Sequence, residues 1–167
     1  KLSTNKVLVF EKRDKDNLIQ KGFGEKKDSV LVLDLKEALF LLKKEKLEIE
    51  DNDGKILSFE ELLNHAEKKE KNFYNKFIVF CDFREKGFVI KTGFKFGFDF
   101  RVYPRGKKPG EEHSQWVVHV ITQDEKITMP SLSRMVRLSG NLKTQVLIAV
   151  VDAEDDVNYY ETKRITP

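Results

Sequence analysis

The sequence predicts a mixed α/β (α+β) protein divided into two small domains, and three observations support this prediction. Short apolar runs typical of β-strands occur in both halves of the chain. Apolar residues at helical spacing, introduced by capping residues, occur between several of these runs. The pattern changes near residues 71–76, in a chain whose 167 residues suffice for one domain or two small ones. We therefore expect a domain at residues 1–74 and a second at residues 75–167, in which helices flank a central sheet.

The N-terminal half is expected to alternate strands and helices. "KVLVF" (6–10) predicts a short strand, and "LIQKGFGE" predicts a helix that ends at Gly22 and Gly24. "SVLVLDL" (29–35) predicts a strand that leads directly into a helix. "KLEIED" (46–51) predicts another strand, before the tight turn "NDG".

Two capping boxes mark helix beginnings in this half. Asp34 and Glu37 have the required spacing, and leucine and alanine follow them at helical positions. Ser58 and Glu61 form the second box, which opens a helix to about Glu70. The lysine-rich stretch after it is expected to remain helical.

The C-terminal half is expected to consist mainly of strands. "KFIVFCDF" (76–83) suits a helix or a strand by its apolar content, and Cys81 within it is expected in a buried-strand context. "GFVIKTG" (87–93) is expected to pair with "FDFRVY" (98–103) as an antiparallel hairpin, followed by the strand "SQWVVHV".

The last part of the chain predicts a helix and two paired strands. Pro130 with Ser131 or Ser133 opens a helix that runs to about Leu138 and is ended by "SGN". "VLIAVVD" is expected to be a buried strand that pairs with "VNYYETKRI" across an acidic turn.

Charge is distributed unevenly along a chain whose net charge is only +3. Residues 76–108 contain nine Lys and Arg against three acidic residues, and "DAEDD" (152–156) has four acids in five positions. These blocks predict either a nucleic-acid-binding face with a separate acidic contact surface, or two ordinary solvated faces. The single cysteine excludes an internal disulfide and a cysteine-based zinc site. No apolar run approaches the length of a membrane span, and we expect a soluble, cytoplasmic protein.

The sequence lacks the characteristic motifs of several enzyme classes. The three histidines have no metal-binding spacing, and the dinucleotide, P-loop and nucleophile-elbow motifs are absent. Asp82, Asp99 and Asp124 lack the paired spacing of a metal-dependent nuclease. An RNA-cleaving enzyme with this sequence is therefore expected to work without a metal or another cofactor.

The segment "FRVYPRGKKPGEEHSQWVVHV" (100–120) holds the candidate catalytic residues. A strand-type run ends at Tyr103, a basic glycine-containing loop follows, and His113 precedes the next strand. Taken alone, these residues suit a strand-end aromatic and a surface histidine, or a catalytic pair. His119, two alternations later, and Trp116 are expected to be structural, with Trp116 in the core.

The chain resembles the archaeal tRNA-splicing (tRNA-intron) endonucleases over nearly its whole length. "KGFGE", "LDLKEALFLLKKEKLEIED" and "SFEELLNHA" are similar to that family's non-catalytic N-terminal domain. "REKGFVIKTGFKFGFDFRVYPRG", the "HS" ten residues after the tyrosine, and "MVRLSGNLKTQVLIAVVDAEDDVNYYE" follow the order of its catalytic domain. The resemblance implies a nuclease-like C-terminal domain that excises introns from precursor tRNA at bulge–helix–bulge sites.

The resemblance also implies a catalytic group of Tyr, His and Lys. Tyr103 and His113 match the first two members. Lys143 is the only lysine of "NLKTQV", whereas an ungapped comparison puts Thr144 at the lysine's place. In metal-free RNA cleavage a base removes the proton of the 2′-OH and an acid protonates the leaving 5′-oxygen, which gives 2′,3′-cyclic phosphate and 5′-OH ends. Histidine has the pKa range for the acid role, so His113 is the candidate acid. Tyr103 is the candidate base if nearby cations stabilise its phenolate.

RNA contacts and assembly complete these expectations. The resemblance assigns base stacking to Arg137 together with a second arginine, for which Arg164 or Lys163 is the candidate here; a salt bridge on the helix surface is the alternative for Arg137. The loop cations Arg105 and Lys107 are expected to attract the RNA backbone. The acidic loop, with Asp152, Glu154, Asp155 and Asp156, is expected to dock into a neighbouring subunit. The chain is then expected to form a homotetramer, which is favoured, or to be the catalytic subunit of an α2β2 tetramer. The alternatives are a non-catalytic structural subunit and a generic RNA-binding α/β module.

Overall fold

A computed structural model describes residues 1–167 as a mixed α/β protein, which confirms the predicted fold class. The chain separates into two compact units, Lys1–Tyr74 and Asn75–Pro167. Each unit contains one sheet, of four strands in the first and five strands in the second.

The first unit is a small antiparallel sheet with three helices. Its sheet has the strand order β1-β2-β4-β3. Its elements are β1 (Leu2–Ser3), β2 (Lys6–Val9), α1 (Lys12–Gln20), β3 (Glu25–Lys27), β4 (Val30–Asp34), α2 (Leu35–Lys43) and α3 (Phe59–Lys69).

Both predicted capping boxes are present in this unit. The Asp34 carboxylate accepts a hydrogen bond from the Lys36 backbone N–H at 2.9 Å, and Glu37 accepts one from the Asp34 N–H at 3.0 Å. At the beginning of α3, the Glu61 N–H donates to the Ser58 hydroxyl at 3.2 Å and the Ser58 N–H donates to the Glu61 carboxylate at 2.9 Å. These local bonds satisfy N–H groups that a helix cannot bond internally, which is why the helix beginnings were predictable.

Three predictions for the first unit were wrong. "KLEIED" does not form a strand, because only Glu50 makes an isolated bridge, to Ile56. The helix before Gly22 begins earlier than predicted, at Lys12. The lysine-rich stretch is not continuously helical, since α3 ends at Lys69 and Asn72 adopts a left-handed conformation with φ of 60°.

The second unit is built on a five-stranded sheet in the order β5-β6-β7-β8-β9. Its strands are antiparallel except for the parallel pair β7 and β8, which helix α5 connects. The elements are α4 (Phe73–Glu85, beginning at the end of the first unit), β5 (Val89–Thr92), a 3-10 turn (Phe94–Phe96), β6 (Phe100–Tyr103), β7 (Trp116–Thr122), α5 (Met129–Asn141), β8 (Gln145–Val151) and β9 (Val157–Thr162).

The predicted hairpin and the predicted strand pair are confirmed. Val89 lies opposite Tyr103 in the β5–β6 hairpin, and Val151 lies opposite Val157 across the acidic turn. Helix α5 places Met135 on a sheet core that includes Val117 and Val146.

In the second unit, one helix settles an open alternative and another differs from the prediction. "KFIVFCDF" is helical, so Cys81 is buried on α4 and not on a strand. Helix α5 is capped by Thr128, whose hydroxyl accepts a hydrogen bond from the Ser131 N–H, and it continues to Asn141. Ser131 and Ser133 are therefore not its cap, and "SGN" lies within its last turn.

Candidate active site

Tyr103 and the segment before β7 lie at the same end of the second sheet. Strands β6 and β7 are antiparallel neighbours, with Val102 opposite Trp116. The Gln115 N–H donates to the Val102 carbonyl at 2.8 Å, so the basic loop returns to the place where it left the sheet. The hairpin topology thus brings residues about ten apart in sequence to one end of the sheet.

One cavity of about 470 Å³ contains both candidate catalytic residues. Tyr103 is only 3% exposed, whereas His113 is exposed on the loop. The other residues that line the cavity are Phe96, Arg101, Gly110, Glu111, Glu112, Ser114 and Leu142. A buried phenol and an accessible imidazole therefore face the same concave site, which suits a pair of proton-transfer groups.

The third candidate, Lys143, does not line this cavity, although Leu142 does. Lys143 follows the end of α5 with φ of 52°, and its N–H donates to the Gly140 carbonyl at 3.1 Å. This left-handed residue ends the helix, and its side chain is exposed. Its catalytic role stays a prediction.

Thr144, the residue that an ungapped comparison puts at the lysine's place, makes a hydrogen bond to the backbone near His113. Its hydroxyl donates to the Gln115 carbonyl at 2.9 Å, two residues after His113. The bond links the beginning of β8 to the loop that carries His113. The sequence presents Thr144 only as the residue at the lysine's place. Its position just before a strand is the only feature of the sequence that indicates a supporting role for the hydroxyl.

Three of the four cations near Tyr103 in sequence lie in clearly different environments. Arg101 lines the cavity, and its guanidinium carbon lies 4.6 Å from the Phe96 ring centre and 5.8 Å from that of Tyr103. Arg105 instead covers the Phe88 ring at 4.9 Å. Lys107 is exposed on the loop. Arg101 was missed as a site residue, although its spacing of two from Tyr103 on a strand places both on one face.

A second, partly apolar cleft brings together the cations predicted for base stacking. Arg137, Lys163 and Arg164 line a cavity of about 390 Å³ beside α5. Met129, Leu132, Ser133 and Val136 form the rest of its wall. Guanidinium and apolar groups on one cleft are suited to an unpaired base, because a base offers a flat apolar face.

The acidic turn between β8 and β9 is organised by Asp152. Its carboxylate accepts hydrogen bonds from the backbone N–H groups of Glu154 at 2.8 Å and Asp156 at 3.0 Å. The side chains of Glu154, Asp155 and Asp156 are exposed. Within the predicted interface group, Asp152 therefore builds the turn, and the other three present its negative charge.

Asp99 lies at the centre of a charged network in the second sheet. Its carboxylate accepts the Val120 N–H at 2.8 Å, and lies 3.0 Å from the Lys76 ammonium and 3.4 Å from His119 Nδ1. Burial by itself raises the pKa of Asp99, but the hydrogen bonds from His119 and Val120 and the charge of Lys76 outweigh it, so the pKa lies below its ordinary value. His119 is therefore structural, as expected.

Trp116 is not a core residue, which corrects the prediction. It is half-buried, and its indole N–H donates to Glu161 at 3.1 Å. Its ring packs edge-on against Phe88, at 5.7 Å between centres. This position suits tryptophan because the ring is apolar while the N–H needs a partner.

No set of three His, Cys, Asp or Glu side chains is arranged to hold a metal ion. No helix combines the length and the apolar composition needed to cross a bilayer.

Comparisons with known proteins match both units. Residues 73–159 match the family model of the tRNA intron endonuclease catalytic C-terminal domain, and residues 1–63 match that of the tRNA intron endonuclease N-terminal domain. All the residues that line the cavity of Tyr103 and His113 lie within the catalytic match.

Several archaeal proteins are similar to this chain along its length. A tRNA-splicing endonuclease from Methanococcus vannielii is 34% identical over 96% of this chain and 90% of its own length. One from Thermococcus kodakarensis is 34% identical over 97% of this chain and 95% of its own. One from Thermococcus onnurineus is 38% identical over 83% and 79% of the two chains.

Proposed function

The chain belongs to the tRNA intron endonuclease family, and on that premise we propose that it excises introns from precursor tRNA by metal-independent cleavage at bulge–helix–bulge sites. The observation that carries the proposal is the shared cavity of Tyr103 and His113. It lies within the segment matched by the family's catalytic domain.

The reaction we propose uses the RNA's own 2′-OH as nucleophile. Tyr103, as phenolate, removes the 2′-OH proton while the oxygen attacks the adjacent phosphorus in line. His113 in its protonated form gives a proton to the departing 5′-oxygen, and the products carry 2′,3′-cyclic phosphate and 5′-OH ends. The exposure of His113 supports its role, because an acid that acts on a leaving group must be reached by a large substrate.

Substrate recognition is proposed to involve the second cleft. An unpaired bulge base would stack on Arg137, with Arg164 or Lys163 on its other side, and the shared cleft of these residues supports this arrangement. Arg105 and Lys107 would attract the RNA backbone. Lys143 remains our proposed third catalytic residue, on the resemblance alone.

We propose that subunits assemble so that two active sites lie as far apart as the two bulges of the RNA. A homotetramer is favoured, because Tyr103, His113 and the acidic turn occur on one chain. An α2β2 tetramer with a structural subunit is the alternative. The exposed carboxylates of Glu154, Asp155 and Asp156 are proposed to enter a basic pocket of a neighbouring subunit.

Cleavage of a bulge–helix–bulge RNA in EDTA tests the function directly. We expect wild-type protein to cut once in each bulge, with the cyclic ends identified by phosphatase and kinase treatment. A fully paired RNA of the same length is the control. Binding without cleavage would identify a structural subunit or an RNA-binding module, and cleavage that EDTA abolishes would refute the metal-free reaction.

A further inference from the structure

Arg101 differs from the other charged groups around the large cavity because it is half-buried, and it has no counter-ion. No carboxylate lies within 4.0 Å of its guanidinium. Its only hydrogen bond is a long one, 3.4 Å from Nε to the Thr92 carbonyl. The two terminal nitrogens therefore keep their N–H donors unused by the protein.

The aromatic contacts fix this guanidinium in place. Its central carbon lies 4.6 Å from the Phe96 ring centre, within the range of a cation–π contact, and 5.8 Å from that of Tyr103. Together with the Nε hydrogen bond, these contacts restrict the long side chain before any ligand arrives. A planar group held in this way loses little conformational entropy when its free donors bind an anion.

The cavity's own acids do not neutralise Arg101. Glu111 and Glu112 also line the cavity, but both are exposed, and Glu111 accepts the Lys108 backbone N–H at 3.0 Å. Across residues 101–113 the chain carries four Lys and Arg against two Glu. The local charge thus remains positive where Arg101 meets Tyr103 and His113.

We propose that Arg101 binds an RNA phosphate in this cavity, through its two terminal nitrogens, and holds the phosphodiester between Tyr103 and His113. This inference rests on the proposed RNA cleavage but assigns a group outside the Tyr, His and Lys set. Guanidinium–phosphate pairs are frequently bidentate, and in that geometry one residue both neutralises charge and orients the phosphate. Arg101 thereby supplies a cation at the cavity wall itself, whereas Lys143 is not among the residues that line the cavity.

The test measures binding of a bulge–helix–bulge RNA that carries 2′-deoxy residues at both cleavage positions, which removes the nucleophile. Arg101→Gln is expected to weaken binding. It should also reduce the magnitude of the slope of the log association constant against log salt concentration by at least about 0.7, which corresponds to the loss of one phosphate contact. Arg13→Gln, which removes an exposed arginine from α1, is the matched control and should leave the slope unchanged.

Cleavage of the all-ribose RNA provides the second measurement. Arg101→Lys keeps the positive charge but removes the paired N–H donors of the planar guanidinium. We therefore expect a nearly wild-type salt slope, with cleavage slowed roughly 10- to 100-fold. A folded Arg101→Gln protein with the wild-type slope would overturn the assignment. If that variant is unfolded in thermal denaturation, wild-type cleavage by Arg101→Lys would overturn it instead.

The outcomes separate this inference from the proposed function. If wild-type protein binds the 2′-deoxy RNA with an Arg101-dependent slope but cleaves no RNA, the phosphate site stands and the proposed function fails. If it cleaves RNA and both Arg101 variants behave as wild type, only the phosphate site fails.

Discussion

The Thr144 hydroxyl donates a 2.9 Å hydrogen bond to the backbone carbonyl of Gln115, and this bond fastens the beginning of β8 to the loop that carries His113. The position that an ungapped comparison gives to a catalytic lysine is thus occupied by a residue that supports the loop. We therefore expect position 144 to affect the cavity through the backbone near His113.

Thr144→Val should slow cleavage more than it destabilises the fold. Loss of the hydrogen bond costs about 1 kcal/mol of stability, but a displaced His113 loses alignment with the leaving oxygen, and small misplacements cost as much as ~100-fold in rate. Thermal denaturation and single-turnover cleavage would measure the two effects. Thr162→Val is the matched control, because the Thr162 hydroxyl is buried without a hydrogen-bond partner. Equal cleavage rates for the two variants would contradict the role of Thr144.

Lys143→Ala should slow cleavage by about tenfold or more if its ammonium reaches the phosphorane. Thr144→Lys should then give no gain, since it also removes the bond to Gln115. Single-turnover rates of both variants decide the question. A sharp gain from Thr144→Lys, together with little effect of Lys143→Ala, would instead place the functional position at 144.

His113→Ala should abolish cleavage and leave RNA binding nearly intact. A general acid acts in the transition state and is worth about 10²–10⁴-fold in rate, whereas a single exposed side chain on the loop adds little to ground-state affinity. Single-turnover cleavage and binding of the 2′-deoxy RNA should be compared. A rate close to that of wild type would remove His113 from the mechanism.

Asp155→Ala combined with Asp156→Ala should reduce the assembly to dimers or monomers in light scattering. Both side chains are exposed on the acidic turn, whereas Asp152 is occupied by the turn's own N–H groups. Asp14→Ala combined with Asp16→Ala removes the same charge from the exposed side of α1 and serves as control. A tetramer that survives the first double substitution would rule out this role of the turn.

Asp99→Asn should destabilise the protein at neutral pH but not in acid. The pKa of Asp99 lies below its ordinary value in the folded protein, so its carboxylate stabilises the fold above about pH 4 and loses this effect as the pH falls through the folded pKa. We expect the free energy of unfolding to drop by about 1–3 kcal/mol at pH 7, with the difference from wild type shrinking below pH 4. Denaturant unfolding across this pH range measures it, and a constant difference would contradict the network.

The sequence by itself determined the elements that depend on local bonding. The capping boxes of α2 and α3, the β5–β6 hairpin and the strands around the acidic turn form because residues a few positions apart satisfy one another. The order of Tyr103, the basic loop and His113 could also be read directly, since a hairpin loop returns to the sheet end where it began.

Only the tertiary structure decided the elements whose surroundings come from distant parts of the chain. "KFIVFCDF" forms a helix with buried residues such as Phe77, Val79 and Cys81 on more than one side, and an apolar run of this kind carries no period to separate helix from strand. "KLEIED" lacks a strand partner, because pairing depends on another segment and not on its own residues. The same reason applies to the site. Arg101 lines the cavity and Arg105 packs on Phe88, because β-strand pairing and aromatic packing decide where each guanidinium lies. Neither can be predicted from the local sequence pattern.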